Sequence, residues 1–194
     1  MIAVRHSDSS LSELLHAFDV PDSLRAEILG GVIVMSPLMR GRHALTVDQV
    51  RRQLQAACPA DHRPIGGIRY RCPATGDEPI PDLTVVPDKA LDADLRFHSM
   101  DIVELVVEVG SESSIRNDRE PKRLLYASEG VPLYLLVDPL LALVTLYTDP
   151  QHGDYLAHHT VTYGDPITIP EPFGLRLETA EFPAKPHRGR LRLS

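Results

Sequence analysis

The sequence predicts an α/β fold, a single domain with a mixed central β-sheet flanked by helices. A strand, a helix and a second strand follow one another over residues 102–137, which is typical of parallel strands joined by a right-handed crossover. Two strand-like segments, 143–147 and 155–163, flank a turn and predict an antiparallel pair. With 194 residues and 43% hydrophobic content, the chain can bury one core, and residues 1–183 are expected to form it.

The first half of the chain is predicted to contain two helices, a hairpin and a strand. Residues 10–18 begin with a serine that can cap a helix, and their leucines recur at helical spacing. Residues 25–36 predict a hairpin, because two consecutive glycines supply the positive φ of a tight turn. Residues 41–57 again show helical spacing and end before a proline. Residues 65–72 are expected to form a strand.

In the second half, residues 82–86 and 102–109 predict strands, and the second has the clearest alternation in the chain. A helix is expected with Asp118 as its cap and Gly130 as its C-terminal stop. Residues 133–137 then predict a buried strand. Short β segments are expected over residues 167–177.

The remaining features predict a cytoplasmic protein. The N-terminus lacks the basic start and apolar stretch of a signal peptide, and no apolar stretch is long enough for a membrane span. The two cysteines, Cys58 and Cys72, show no CxxC spacing, so neither a disulfide scaffold nor a zinc finger is expected. Residues 184–194 are basic and lack an apolar pattern, which predicts a flexible tail.

Charge is unevenly distributed along the chain. The net charge of −7 argues against a general-purpose nucleic-acid binder. Residues 40–71 contain seven arginines and two acids, whereas residues 77–112 contain ten acids and two basic residues. This asymmetry fits a cation site beside a phosphate-facing surface. It fits two ordinary solvated faces equally, and on charge alone the second interpretation is favoured.

Two carboxylates beside apolar strands are candidate metal ligands. Glu104 and Glu108 share one face of the predicted strand but lie roughly 13 Å apart, so only one can belong to a given site. Glu108 is flanked by valines and is the better candidate. Asp82 starts another strand, and the two acids can converge on a hard cation such as Mg²⁺. The alternative for Asp82 is a turn-capping role.

Lys122 is the candidate basic group. The chain has only three lysines among its twenty basic residues. A lysine offers a compact point charge that suits holding or deprotonating an attacking water. Tyr126 lies one helical turn further on the same face. The alternative is an exposed lysine on a short helix.

These residues resemble those of the PD-(D/E)XK nuclease superfamily, through Pro81-Asp82 and Glu108-Val109. The usual lysine of that superfamily would stand at position 110, which is glycine here. With this departure, the sequence resembles one bacterial branch of the superfamily, the Uma-type family, described as "putative restriction endonucleases". The resemblance spans residues 11–180. Its motifs follow one another in the expected order, at residues 27–37, 40–43, 81–82, 107–113, 118–126 and 130–139.

The resemblance implies a restriction-endonuclease-like fold and an active site of Glu27, Asp82, Glu108 and Lys122. Asp82 and Glu108 would hold Mg²⁺, or Mn²⁺ in its place, with Glu27 as a third ligand or a supporting partner. The implied reaction is hydrolysis of nucleic-acid phosphodiester bonds, with DNA as the expected substrate and a homodimer as the expected assembly. Leu133, where the family often has glutamate, is a departure that removes no proposed ligand.

Two alternatives stay open. The first is a nuclease-fold module that binds nucleic acid or has a regulatory role but has lost catalysis. The acidic net charge argues against tight binding of DNA by such a module. The second is a structural or regulatory protein whose carboxylates are simply buried polar residues.

Overall fold

The computed structural model describes residues 8–39, 41–91 and 95–184. The α-helices in these ranges are α1 (Asp8–Ala17), α2 (Gly41–Ala57), α3 (Ile115–Arg119) and α4 (Pro121–Ser128). The strands are β1 (Leu24–Leu29), β2 (Val32–Pro37), β3 (His62–Ile65), β4 (Tyr70–Arg71), β5 (Leu83–Pro87), β6 (His98–Ser99), β7 (Leu105–Val109), β8 (Leu133–Asp138), β9 (Leu143–Gln151), β10 (Asp154–Thr162), β11 (Ile167–Ile169) and β12 (Leu175–Leu177). No helix in the described ranges has both the length and the apolar character that a membrane span requires.

A six-stranded mixed sheet forms the centre of the fold, in the order β10-β9-β8-β7-β5-β3. β7 and β8 are parallel, and every other neighbouring pair is antiparallel. The strand–helix–strand pattern therefore predicted the one parallel pair of this sheet. The pairing of β9 with β10 confirms the predicted antiparallel pair, and β11 with β12 forms the expected short β segments.

Helices cover both faces of this sheet. Alternate residues of β7 point to opposite faces, and all five are buried. Leu105, Val107 and Val109 join the hydrophobic cluster that contains Val50 and Leu54 of α2. Val106 joins the cluster on the other face, which includes residues of α3 and α4. Glu108 alternates with these residues and therefore lies on this second face, where its side chain is buried.

The β1–β2 hairpin lies outside the central sheet and is bridged to it through the segment before β5. Ile28 and Glu78 exchange two backbone hydrogen bonds, with N···O distances of 3.2 and 2.9 Å. The Glu78 side chain is buried and accepts a hydrogen bond from Ser12 of α1 at 2.7 Å. It also lies 3.2 Å from His16 Nε2 and forms an ion pair with Arg71. This polar contact network attaches α1 and the hairpin to each other.

Two predicted strands differ in the structure. Residues 65–72 are not one strand, because β3 ends at Ile65 and β4 begins only at Tyr70. The strand predicted over residues 102–109 begins at Leu105, since a 3₁₀-helix occupies Met100–Ile102. The basic tail predicted over residues 184–194 lies, from residue 185, outside the described residues.

The predicted helix after the serine-rich loop is divided in two, and Asp118 does not cap it. Asp118 lies within α3 and is buried. Glu120 separates α3 from α4 with φ −129° and ψ −64°. Proline disfavours helical geometry in the residue before it, so Pro121 explains the break at Glu120. Gly130, with φ +74°, follows α4 as predicted.

Candidate active site

Strand pairing brings Asp82 and Glu108 together. β5 and β7 are antiparallel, with Leu83 opposite Val107. Extending this register by one residue places Asp82 opposite Glu108, on the same face of the sheet. The N–H of Val109 donates a hydrogen bond to Asp82 Oδ2 at 2.8 Å, which fixes the carboxylate beside the end of β7.

Gly66 permits this position of Asp82. A Cβ added at Gly66 would lie 2.5 Å from the backbone oxygen of Asp82. Gly66→Ala is therefore expected to displace Asp82 and to lower the free energy of unfolding by about 1–3 kcal/mol. Urea unfolding would measure the change. Gly41→Ala is the matched control, because nothing lies within 4 Å of its added Cβ. Equal stability of the two variants would contradict this account.

Lys122 is buried among three carboxylates. Its Nζ lies 2.8 Å from Glu108 Oε1, 3.2 Å from Glu27 Oε1 and 3.7 Å from Asp118 Oδ1. Only 2% of the lysine side chain is exposed. Burial alone would lower the pKa of this ammonium, but the three carboxylates outweigh it and raise the pKa. Lys122 therefore stays charged at neutral pH. The alternative of a solvent-exposed lysine is excluded.

A lysine at position 110 would require the side chain of Ile115 to move in this fold. A Cβ at Gly110 would overlap the buried side chain of Ile115 at the start of α3. The glycine thus lets α3 begin close to the end of β7. The ammonium group comes instead from α4, whose Lys122 contacts the Glu108 carboxylate.

Glu27 reaches the site from the hairpin. Its Oε1 accepts a hydrogen bond from the N–H of Ile80 at 2.8 Å and contacts Lys122. Arg25, two residues earlier on the same strand face, lies between two of the acids. Its Nε is 3.5 Å from Glu27 Oε2, and its NH1 is 3.4 Å from Asp82 Oδ1.

His43, in the first turn of α2, completes the surroundings of Asp82. Its Nε2 lies 3.0 Å from Asp82 Oδ2. Burial lowers the pKa of this imidazole, but the hydrogen bond and charge of Asp82 prevail and raise it. Burial likewise raises the pKa of Asp82, and His43 and Arg25 overcome it, so the pKa of Asp82 is lowered. Asp82 is therefore ionised at neutral pH.

The pKa values of Glu108 and Asp118 are raised, whereas that of Asp82 is lowered. Burial raises the pKa of Glu108 to about 8, although Lys122 acts in the opposite direction. Burial also raises the pKa of Asp118 to about 6, again against the effect of Lys122. Tyr126 donates a hydrogen bond to Glu108 Oε1 at 2.6 Å, so this oxygen accepts both Tyr126 and Lys122. The pair of donors fixes the orientation of the Glu108 carboxylate.

The chemistry of these donors fits a hard divalent cation. Mg²⁺ takes oxygen ligands and commonly uses one or two carboxylates, with waters and substrate phosphate as the others. The described residues include no group of three Asp, Glu, His or Cys side chains placed around one ligating point. Asp82 and Glu108 face each other across the strand pair, and Glu27 reaches the site from the hairpin. Lys122 contacts both Glu108 and Glu27.

Charge in the described site can accommodate a divalent cation. Four buried acids meet two permanently charged bases, Lys122 and Arg25. The acids are Glu27, Asp82, Glu108 and Asp118. With all four ionised and His43 neutral, two negative charges remain uncompensated. Protonation can remove them, and so can one divalent ion.

A model of the Uma2 family, described as "Putative restriction endonuclease", matches residues 11–180. This chain belongs to the Uma2 family. Membership confirms the resemblance seen in the motifs, and it places the chain in a nuclease family. No curated protein matches the chain in sequence.

Among solved structures, the chain is similar to a putative nuclease belonging to DUF820 from Anabaena variabilis, with a TM-score of 0.71. The two share 17% sequence identity, and the similarity covers 89% of this chain and 96% of that one. At this identity the similarity concerns the fold alone. The fold of this Uma2 chain is restriction-endonuclease-like, a mixed sheet with helices on both faces, as the motifs implied.

The four residues singled out from the sequence all meet in this site, and sequence reasoning missed two others, Arg25 and Asp118. Arg25 shares a strand face with Glu27, so alternation along β1 was an available signal. Asp118 stands one helical turn before Lys122, but its assignment as a cap concealed that relationship. His43 belongs to one of the Uma2 motifs, yet nothing local indicates that its ring meets Asp82.

The arginine-rich stretch contributes little to the site. Its arginines pair mostly with acids elsewhere: Arg51 and Arg52 with Asp48, Arg63 with Asp88, and Arg69 and Arg71 with Glu78. Arg42 lies beside His43 in a cleft, and Arg40 lies outside the described residues. Most of this stretch therefore fits the interpretation of ordinary solvated faces.

Proposed function

We propose that this chain is a metal-dependent endonuclease that hydrolyses nucleic-acid phosphodiester bonds, with DNA as the substrate. The observation that carries the proposal is the arrangement of Lys122 against Glu108 and Glu27, with Asp82 across the strand pair from Glu108. Acids and a lysine in this arrangement are the elements of a PD-(D/E)XK site, here with the lysine supplied by α4.

Asp82 and Glu108 are proposed to hold Mg²⁺ or Mn²⁺. The bound ion supplies Lewis-acid chemistry, polarising the phosphoryl oxygen and lowering the pKa of water. His43 and Arg25 keep Asp82 ionised, which prepares one ligand for the cation. Tyr126 and Lys122 orient Glu108, the other proposed ligand.

Lys122 is proposed to orient the attacking water and to offset charge that develops on the phosphate. Its position supports this role, because burial in a site of low dielectric strengthens the effect of its charge. Glu27 supports Lys122 from the hairpin side. The site therefore supplies a fixed ammonium group next to a carboxylate that can bind the cation.

Cleavage assays test the proposal. Supercoiled plasmid, linear DNA and RNA would be incubated with the protein and either Mg²⁺ or Mn²⁺. We expect the wild type to cut plasmid, and Lys122→Ala and Asp82→Ala to lose at least a hundredfold in rate, in line with removing one transition-state contact. Lys89→Ala, at an exposed lysine outside the site, is the matched control.

Two results would reject the proposal. One is the absence of cleavage by the wild type with every substrate and both metals. The other is cleavage that survives in Asp82→Ala. Binding of nucleic acid without cleavage would identify the module that has lost catalysis. Because cutting both strands of a duplex favours a two-fold dimer, sedimentation of the protein with and without duplex DNA would test the proposed assembly.

A further inference from the structure

The charged groups of the site differ in their access to solvent. The side chains of Lys122, Glu108 and Asp82 are each 2% exposed, and that of Glu27 is 3% exposed. Arg25 and His43 are 18% and 15% exposed. Arg25 and His43 are therefore the basic side chains of the site with the most exposure to solvent. A substrate phosphate approaching from solvent can reach Arg25 more readily than Lys122.

Arg25 and His43 are both anchored to the same carboxylate. Arg25 NH1 contacts Asp82 Oδ1, and His43 Nε2 contacts Asp82 Oδ2. A guanidinium has five N–H donors, and the contacts to Asp82 and Glu27 use two of them. Arg25 can therefore keep its contacts with the acids while it donates to a further anion. Arginine is also the side chain best suited to bidentate contact with a phosphate.

A cleft of about 140 Å³ lies next to the site, with His43 in its lining. Its lining residues are Arg42, His43, Gly110, Pro139, Leu140 and Pro183. Gly110 and Pro139 directly follow the parallel strands β7 and β8, and ligands in α/β folds commonly bind beyond such strand ends. The proline and leucine walls suit the sugar or base that adjoins a phosphate.

We propose that Arg25 forms a phosphate-binding subsite beside Asp82, which receives the phosphate of a nucleotide while the neighbouring cleft at His43 receives its nucleoside. The identity of the ligand rests on the proposed nuclease function. In this arrangement Arg25 touches the phosphate, and His43 holds Asp82 and lines the cleft. Lys122 keeps its proposed role next to Glu108 and Glu27.

Product-like probes test the subsite without any cleavage. Thymidine 5′-monophosphate carries the phosphate, and thymidine lacks it, so the ratio of their dissociation constants measures the contribution of the phosphate. Titrations in Mg²⁺ would be followed by NMR. We expect the wild type to bind the monophosphate at least tenfold more tightly than thymidine. Arg25→Gln should lose about tenfold in affinity for the monophosphate, with thymidine binding unchanged, because a charge-assisted hydrogen bond is lost.

Further variants separate binding from folding. Arg25→Lys keeps the charge and should bind the monophosphate with intermediate affinity. Arg51→Gln removes an arginine that pairs with Asp48 on an exposed part of α2, and it should bind both probes like the wild type. Mg²⁺ affinity in Arg25→Gln should be unchanged or higher, because a cation next to Asp82 has been removed, whereas a collapsed site would lose Mg²⁺ as well.

The inference is overturned if the wild type shows no preference for the monophosphate, or if Arg25→Gln keeps that preference in full. An Arg25-dependent preference in a protein that cuts no nucleic acid would instead reject the nuclease function and leave the subsite standing. Cleavage by a wild type that shows no phosphate preference would reject the subsite and leave the nuclease function standing.

Discussion

Replacing Lys122 with methionine is expected to lower the free energy of unfolding by about 3–5 kcal/mol at pH 8, the range typical of breaking a buried ion pair. The ammonium group is enclosed by Glu108, Glu27 and Asp118, and methionine leaves these buried carboxylates without their shared cation. Methionine preserves most of the volume of the lysine side chain, so packing changes little. Urea unfolding at pH 8 measures the loss, and the proposed cleavage activity should disappear with it.

Two further variants make this result specific. Lys89→Met alters an exposed lysine and should change stability by less than about 0.5 kcal/mol. Adding Glu108→Gln to Lys122→Met should recover part of the lost stability, because one of the uncompensated charges is then neutral. If Lys122→Met unfolds at the same urea concentration as the wild type, the ammonium does not stabilise this cluster as the geometry indicates.

The stability of the metal-free protein is expected to fall as the pH rises from about 5 to about 8. Folding raises the pKa of Glu108 from 4.5 to about 8 and that of Asp118 from 3.8 to about 6. Between these values the unfolded chain has lost protons that the folded protein retains, so stability decreases with pH. The raised pKa of His43 acts in the same direction. The lowered pKa of Asp82 has the opposite sign and matters only below about pH 4.

Urea unfolding in EDTA over this pH range would show the decline, which should amount to a few kcal/mol. Glu108→Gln cannot titrate and should flatten most of the decline. Mg²⁺ is expected to stabilise the protein more at pH 8 than at pH 5, because the cation competes with the proton for the proposed ligands. A stability that rises with pH in EDTA would mean that Glu108 is ionised in the folded protein.

Local signals explain why much of the fold could be predicted from the sequence. The helix expected over residues 41–57 has those bounds in the structure, because its apolar spacing and the following proline are local features. The β1–β2 hairpin follows from its two glycines, whose φ values are +60° and +70°. The break at Glu120 also has a local cause in Pro121, so that error was avoidable.

Nonlocal contacts explain what the sequence could not reveal. Position 82 faces position 108 only because β5 is next to β7 and pairs with it in one register. Neither segment alone indicates the order of the strands in the sheet. Within the interruption of residues 65–72, Gly66 closely approaches the backbone of Asp82, which is a tertiary contact. The contact of His43 with Asp82 likewise depends on where α2 packs.

The β1–β2 hairpin supplies both Glu27 and Arg25 to the centre, whereas Asp82 and Glu108 belong to the central sheet and its margin. Two backbone hydrogen bonds between Ile28 and Glu78, with the contact of Glu27 to Ile80, join the two parts. Partial detachment of the hairpin would remove an acid and a base together, so the net charge left behind would hardly change. Assembly of the complete centre can therefore be a local equilibrium, separate from global unfolding. In this equilibrium the hairpin detaches and reattaches, while the sheet and its margin retain Asp82 and Glu108.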